Sequence, residues 1–401
     1  MKVPVLITAS SFPLNTTSTK GNFILEFAQE LTQYNKVIVL THRVGDALAT
    51  EYFGEVLVKR YRFLPFNQFD SYFAHGVLHA FSTYKLLFLF IAPLYFLTQL
   101  FAIHQIVKAN QIKVIHAHWI IPQGLAAVLY RMIWNRKLKV ISTVHGGDIF
   151  AFKGSLGTAL KRFVLNRIDQ LTVVSTHIKN EVEKYESAVP ISVLPMGIDV
   201  DKFKPILPKK TKTQQTLLFV GRLAEKKGVQ YLIAALPEIR ANCPNIHLLI
   251  AGNGSLLFQL KQQTEQLDLQ NVVTFLGNVE HANLPTLYNQ ADIFIGPSIV
   301  AESGDSEGFG LVFAEAAACQ TLVVTTDFPA MRDIIINGKT GFTVNQKSAT
   351  AIAAQVIALL QNPGQYATVP QQARQHVVDN FSWKIIGKKY AILYKQLAVS
   401  I

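Results

Sequence analysis

The sequence predicts an α/β protein of two domains, each built on a parallel sheet. Three observations carry this. At 401 residues the chain is too long for one ordinary hydrophobic core. Short apolar runs alternate with amphipathic ones, the pattern of strands followed by crossover helices. The alternation stops in a proline-bearing stretch, 187–215, and then begins again. Half of the residues are hydrophobic and 16% are charged, which excludes a disordered chain.

In the first half the expected strands are 4–9, 36–41, 55–63, 114–118, 139–144, 171–175 and 192–195. After the first, a polar loop runs from Ser10 through Thr19 and Lys20 to Gly21 and a helix over 23–33. Gly21 suits either the close approach of a phosphate or a plain turn. His116 and His118 stand at alternate strand positions and share a face. No Asp, Cys or Glu nearby completes a metal set, which favours structural or substrate-lining roles. His145 follows the strand 139–144 in the run STVHGGDIF, where Gly146 and Gly147 leave room for a ligand and Asp148 is expected to cap the next turn. Ligands of open parallel sheets collect at the carboxyl ends of strands, so His145 is a functional candidate.

The net charge of +12 is uneven, since the first 200 residues carry 20 Lys+Arg against 12 Asp+Glu. This suggests an anionic partner. With no zinc knuckle, aromatic-rich RNA motif or long basic run, nucleic acid is not expected and a lipid surface fits better. The segment 86–107, between Lys85 and Lys108, has no charged residue and contains LLFLFIAPLYFLTQLF. It is long enough to span a bilayer, but Pro93, Gln99, His104 and Gln105 argue against a span. Two readings stay open: a helix packed in the first domain, and a helix making peripheral membrane contact. Cys243 and Cys319 are too few for a disulfide framework, which suits a reducing cytoplasm. The apolar run at the N-terminus is too short for a signal peptide and reads as the first strand.

In the second half, strands are expected at 216–220, 246–251, 272–276, 293–297 and 321–325, with helices at 229–241, 255–267 and 284–290. The run GRLAEKKG, 221–228, leaves the first of these strands. Its cations Arg222 and Lys227 can grip a diphosphate, each charged hydrogen bond contributing roughly 1.5–3 kcal/mol; the alternative is a solvated loop. The run EGFGLVFAE, 307–315, sets two carboxylates seven residues apart, with Gly308 and Gly310 opening a loop and a helix following. A helix N-terminus offers free N–H groups and a positive dipole end. Glu307 and Glu315 suit hydroxyls rather than phosphate, because like charges repel. Among Phe313, Ala314, Ala316 and Ala317, Glu315 needs a polar partner, which a ligand can supply. After Pro370 the chain runs through 371–380 to a last helix, 384–399.

Together these residues resemble the retaining GT-B glycosyltransferases of family 4, the glycosyl transferases group 1. The resemblance covers nearly the whole chain. It rests on Gly21, HAHW at 116–119 with Ile121-Pro122-Gln123-Gly124, HGGD at 145–148 and Leu194-Pro195-Met196-Gly197-Ile198-Asp199. GRLAEKKG, Ala251-Gly252-Asn253-Gly254, Phe275-Leu276-Gly277-Asn278-Val279 and the paired glutamates complete it. It implies two Rossmann-like, doubly wound domains facing across a cleft, at 1–200 and 201–382, with a C-terminal helix, 383–401, returning to the first.

The resemblance further implies a metal-independent transfer with no cofactor, from a nucleoside-diphosphate sugar (UDP or GDP) to a glycan or lipid-linked acceptor. The expected setting is bacterial surface polysaccharide assembly on the cytoplasmic face of the membrane. Arg222, Lys227 and Gly21 would hold the diphosphate, and Glu315 the ribose. Glu307 and His145 would meet the donor sugar with the backbone N–H groups of Phe309, Gly310 and Leu311, and Val279 would lie near the base. Asp199-Val200-Asp201 looks like the paired acids of metal-dependent sugar transferases, but its prolyl setting favours a structural role. Two departures, Gln320 with Leu322 and the loop 328–333, bear on loop geometry and donor choice. A sugar-nucleotide epimerase and a non-catalytic nucleotide-binding partner are the rival readings.

Overall fold

The computed structural model describes residues 2–15, 21–63, 85–150, 154–206 and 214–399, with side chains of the long helix from residue 91 onward. Thr19, Lys20, Pro208 and the side chains of 86–90 lie outside the described residues. The chain divides into two compact units, Met1–Gly197 with Trp383–Ile401, and Ile198–Ser382. The break falls before residue 200 because Ile198 N donates to Phe381 O at 2.8 Å, tying 198–200 to the second unit.

The first unit runs β1 (Val3–Thr8), α1 (Asn22–Thr32), β2 (Asn35–His42), β3 (Thr50–Phe53), β4 (Val56–Tyr61), α2 (Lys85–Asn110) and β5 (Val114–His118). It continues through α3 (Leu125–Trp134), β6 (Lys139–Val144), α4 (Gly147–Phe150), α5 (Ser155–Leu165), β7 (Gln170–Val173), α6 (Thr176–Glu183) and β8 (Ile191–Val193). Its sheet has the order β3-β4-β2-β1-β5-β6-β7-β8, parallel except for β3 against β4. The central strands β1, β5 and β6 are buried almost throughout, the burial of a sheet covered on both faces. The sequence merged β3 with nothing: TEYF is half polar and pairs only at the edge.

The second unit runs β9 (Gln215–Val220), α7 (Val229–Asn242), β10 (Ile246–Ala251), α8 (Leu257–Gln266), β11 (Val273–Gly277), α9 (Leu284–Gln290) and β12 (Ile293–Gly296). Then come α10 (Leu311–Ala318), β13 (Leu322–Thr326), β14 (Phe342–Val344), α11 (Ala349–Gln361) and α12 (Val369–Phe381). The sheet order is β11-β10-β9-β12-β13-β14, and every pairing in it is parallel. The stretch 371–380, to which the sequence reading assigned no element, is part of helix α12. Pro370 sits in its first turn, where proline removes no hydrogen bond.

The last helix, α13 (Trp383–Val399), packs in the first unit. Trp383 Nε1 donates to Glu26 Oε2 at 3.0 Å, and the Tyr390 and Phe27 rings meet at 4.8 Å. Helix α2 buries Ile91, Tyr95, Leu100, Ile103 and Ile106 and exposes Leu94, Leu97 and Phe101. It is thus a packed helix with an apolar outer stripe. Among the described residues, no helix is long and apolar enough to cross a membrane.

Candidate active site

In the second unit, β9 lies between β10 and β12, so the crossovers diverge at the β9–β12 pair. Ligands of such sheets bind at that switch point, beyond the carboxyl ends of the strands. The loop 221–228 leaves β9 and the loop 297–310 leaves β12. Ile299 N donates to Lys226 O at 2.9 Å, lacing the two together. The Lys227 ammonium donates to Glu307 Oε2, and each side chain is only 15% exposed. Burial pushes the Glu307 carboxyl up, but the Lys227 charge and hydrogen bond, the Lys226 charge and the Gly308 N–H outweigh it and hold the group below its ordinary value. Glu307 is therefore an anion at neutral pH, with a cation already in place beside it.

Gly310 caps α10 in the left-handed region, with φ 78°. The N–H groups of Phe309, Gly310 and Leu311 meet no acceptor among the described residues, so they remain available to a ligand oxygen. The Phe309 ring is buried against Phe381, centroids 5.6 Å apart, which leaves its backbone as the accessible part. Glu315, one to two turns into α10, is buried. Its polar partners come from the protein: Tyr288 OH donates to Oε2 at 2.8 Å, and His281 Nε2 lies 3.2 Å from Oε1. Val279 is half-buried two residues before His281, in the loop after β11. Arg222 is exposed, and no hydrogen bond or ion pair joins its side chain to Lys227, Glu307 or Glu315 among the described residues.

In the first unit His145 follows β6. Its Nε2 lies 2.9 Å from His118 Nδ1, and the two rings stack at 5.1 Å. His116 stacks on His118 at 4.5 Å and is bonded through Nδ1 to Tyr394 OH and through Nε2 to Thr143 Oγ1, both at 2.6 Å. Burial lowers all three histidines, His116 and His145 to about 3 and His118 well below its usual value. At neutral pH the column is uncharged, and the ring nitrogen of His145 left without a protein partner among the described residues is Nδ1. Asp148 does not cap forward as expected. It is fully buried, and its carboxylate accepts from Ile120 N at 2.9 Å and from His145 N at 3.2 Å. It thus fixes the backbone that carries His145.

Gly21 begins α1 with φ 73°. A Cβ there would stand 2.8 Å from Phe12 N, so a fold constraint accounts for this glycine whatever ligand it meets. Asp199 Oδ1 accepts from Asp201 N at 3.0 Å and Lys202 N at 2.9 Å, the structural turn that the connector suggested. Among the described residues no group of three His, Cys, Asp or Glu is arranged to hold a metal ion.

The structure thus joins Lys227 to Glu307 and places the free N–H groups at the same loop. Sequence reasoning missed His281 and Tyr288, which satisfy Glu315 from 34 and 27 positions away. The signal for them was indirect: an acid in an apolar helix requires donors, but one sequence does not say from where.

Two parallel-sheet units, with a cationic loop and an acidic loop meeting at the switch point of the second, define a class: sugar-transferring enzymes of the GT-B fold. The fold is that of sucrose-phosphate synthase from Thermosynechococcus elongatus, with a TM-score of 0.81 over 100% of both chains at 19% identity. The chain belongs to glycosyltransferase family 4, the glycosyl transferases group 1. The profile described as Glycosyltransferase Family 4 matches residues 21–202, and that described as Glycosyl transferases group 1 matches residues 200–376. A GDP-mannose-dependent monoacylated alpha-(1-6)-phosphatidylinositol monomannoside mannosyltransferase from Corynebacterium glutamicum is 30% identical over 284 residues, covering 66% of this chain and 73% of that one. Glycogen synthase from Mycobacterium tuberculosis is 29% identical over 292 residues, 70% and 68% of the two chains. This protein is a glycosyltransferase.

Proposed function

We propose that the protein transfers a sugar from a UDP- or GDP-activated donor to a glycan or lipid-linked acceptor, with retention of anomeric configuration and without a metal ion or cofactor. One observation carries it: Lys227 and Glu307 are held together at the β9–β12 switch point, beside the unpaired N–H groups at the start of α10. In this reading Lys227 and Arg222 take the diphosphate, Glu315 the ribose, and Glu307 and His145 the donor sugar. Val279 lies near the base and Gly21 near the phosphate. Both side chains are weak bases here, His145 lowered by burial to about 3 and Glu307 held below its ordinary value and paired, so a side-chain proton acceptor is not the main device. The leaving phosphate oxygen takes the acceptor proton, and fixed cations and N–H dipoles stabilise the charge that develops on the diphosphate.

The acceptor side of the proposal draws on the apolar surface of the first unit. Leu94, Leu97 and Phe101 of α2 are exposed, as are Met132, Ile133 and Trp134 at the end of α3. The Trp134 ring lies 5.7 Å from His104, which joins the two groups, and exposed Lys108, Arg136 and Lys137 flank them. This surface suits contact with an anionic membrane, where the enzyme would take a lipid-linked acceptor at the cytoplasmic face during bacterial surface polysaccharide assembly. The bacterial relative acting on a phosphatidylinositol mannoside supports that direction.

The test is to incubate purified protein with UDP- and GDP-sugars and lipid-linked acceptors, and to follow nucleotide release and the anomeric signal of the product by NMR. Donor-dependent release with the donor's configuration kept is expected. Inverted product would overturn the retaining mechanism, and silence with every donor would overturn the transfer reading.

A further inference from the structure

Glu315 is not an isolated acid but the end of a hydrogen-bonded series. Lys202 Nζ lies 2.7 Å from His281 Nδ1, His281 Nε2 lies 3.2 Å from Glu315 Oε1, and Tyr288 OH donates to Glu315 Oε2 at 2.8 Å. The protons in this series can be placed from donor chemistry alone. An ammonium has three donors and no acceptor, so His281 Nδ1 must be the accepting nitrogen. The ring proton then sits on Nε2 and points at Glu315, a carboxylate that can only accept. The opposite tautomer would leave two donors facing at one end and two acceptors at the other.

Lys202 is itself aimed. The Asp199 carboxylate accepts from the backbone of Asp201 and Lys202, which fixes the turn from which the side chain leaves. Phe203, fully buried, sets its ring against His281 at 5.3 Å and Tyr288 at 6.0 Å. The Arg374 guanidinium donates to Phe203 O at 3.0 Å and Val200 O at 3.3 Å. The turn that opens the second unit is thereby tied to the middle of α10.

We infer that Lys202 and His281 are positioning residues for the donor site: the series Lys202–His281–Glu315–Tyr288 holds the Glu315 carboxylate as an oriented anion. Each oxygen spends one lone pair inside the protein and keeps another for the hydroxyls of the donor's ribose. A cation behind a neutral imidazole polarises its N–H and strengthens the bond that it gives, so the Lys202 charge is felt at Glu315 without touching it. The inference rests on the reading of Glu315 as the ribose acceptor.

The experiment has a binding arm and a spectroscopic arm. Binding of UDP and GDP and the donor KM and kcat are measured for wild type, Lys202→Met, Lys202→Arg, His281→Phe and His281→Gln, with thermal unfolding of each as a control for folding. Lys202→Met and His281→Phe are expected to raise the donor KM about tenfold, the scale of one charge-assisted hydrogen bond, with kcat within about twofold. Lys202→Arg and His281→Gln, which keep a donor in place, are expected to recover most of the loss. In the second arm, 15N shifts of labelled histidine give the His281 tautomer in wild-type protein, where Nε2–H is expected. A His281 Nδ1–H tautomer, or a donor KM unmoved by Lys202→Met and His281→Phe in folded protein, would overturn the inference. A wild-type protein that binds neither nucleotide would instead overturn the reading of Glu315 on which it stands.

Discussion

The Lys227 ammonium and the Glu307 carboxylate meet across 80 positions of sequence, each shielded from water, at the point where β9 and β12 send their crossovers to opposite sides. Breaking one half of such a pair leaves a buried charge without a partner, a loss larger than the net worth of the pair. Pairing therefore explains how two residues expected to address different parts of one donor are kept in register before a donor arrives.

Lys227→Met is expected to lower transfer activity by at least about a hundredfold, the loss of roughly 3 kcal/mol of charge stabilisation. It should also lower folding stability by about 1–3 kcal/mol. Adding Glu307→Gln to it should restore part of the stability and none of the activity. Urea unfolding and nucleotide release measure the two effects separately. The stability that Glu307 contributes is present at neutral pH and is lost as pH falls below the ordinary carboxylate value, because its folded pKa is depressed.

The histidine column makes a second pH dependence, in a higher window. His116, His118 and His145 are neutral in the folded chain down to about 3 for the first and last, whereas in the unfolded chain each takes a proton near pH 6.5. Between those limits the unfolded state binds more protons, so stability rises with pH there and is lost as pH falls. Each histidine steepens the loss by up to about 1.4 kcal/mol per pH unit. Urea midpoints at fixed pH from 7.5 to 4.5 are expected to be flat above about 7 and to fall below 6.5. Replacing His145 by Asn should shallow the fall, and an unchanged slope would show that the column titrates in place.

The fold was largely legible because its evidence is local. Alternating runs marked the central strands and the helices expected at 23–33, 229–241, 255–267 and 284–290 to within about two residues, since a strand buried on both faces must be apolar throughout. Other elements were missed: the edge strand TEYF, the three-residue β14, helices α3, α5, α6 and α11, and α12 behind Pro370. In the site, Lys227 and Glu307 were readable as charges on strand-to-helix loops. What Glu315 touches was not, because Tyr288 and His281 are chosen by packing across distant elements. Gln320 shows a departure resolved by geometry. Its φ is 57°, and it ends α10 with Gln320 N bonded to Ala317 O and Thr321 N to Ala316 O, the pairing in which glycine is usual.

The apolar surface of the first unit carries its own reporter. Of the three tryptophans, Trp119 and Trp383 are at most 9% exposed while Trp134 is 49% exposed. Vesicles containing phosphatidylglycerol are expected to shift the emission of Trp134 to the blue, and brominated acyl chains to quench it. Phosphatidylcholine vesicles should do so far less, and added salt should weaken the effect as the Debye length shortens. Leu97→Glu with Phe101→Glu removes two apolar side chains worth about 1.5–3 kcal/mol each when buried and should reduce partitioning at least about tenfold. Emission indifferent to anionic vesicles would remove the membrane from the proposal while leaving the chemistry of the second unit untouched.

Gly310 offers the sharpest separation between shape and charge. It stands at φ 78°, a region that costs an ordinary residue roughly 1 kcal/mol or more. A Cβ there would lie 2.7 Å from Phe313 Cδ2 and 3.0 Å from the Met331 sulfur. Both neighbours are buried and cannot simply swing into solvent. Gly310→Ala should therefore destabilise by about 1–3 kcal/mol and turn the N–H groups of residues 309–311 away from their present line. Nucleotide affinity should fall although no charged group has been changed. Gly364→Ala, where a Cβ meets nothing within 4 Å, is the control and should stay within about 0.5 kcal/mol. Equal donor affinity in wild type and a folded Gly310→Ala protein would mean that the start of α10 does not hold the donor, and the anion would then have to be held by Lys227 and Arg222 alone.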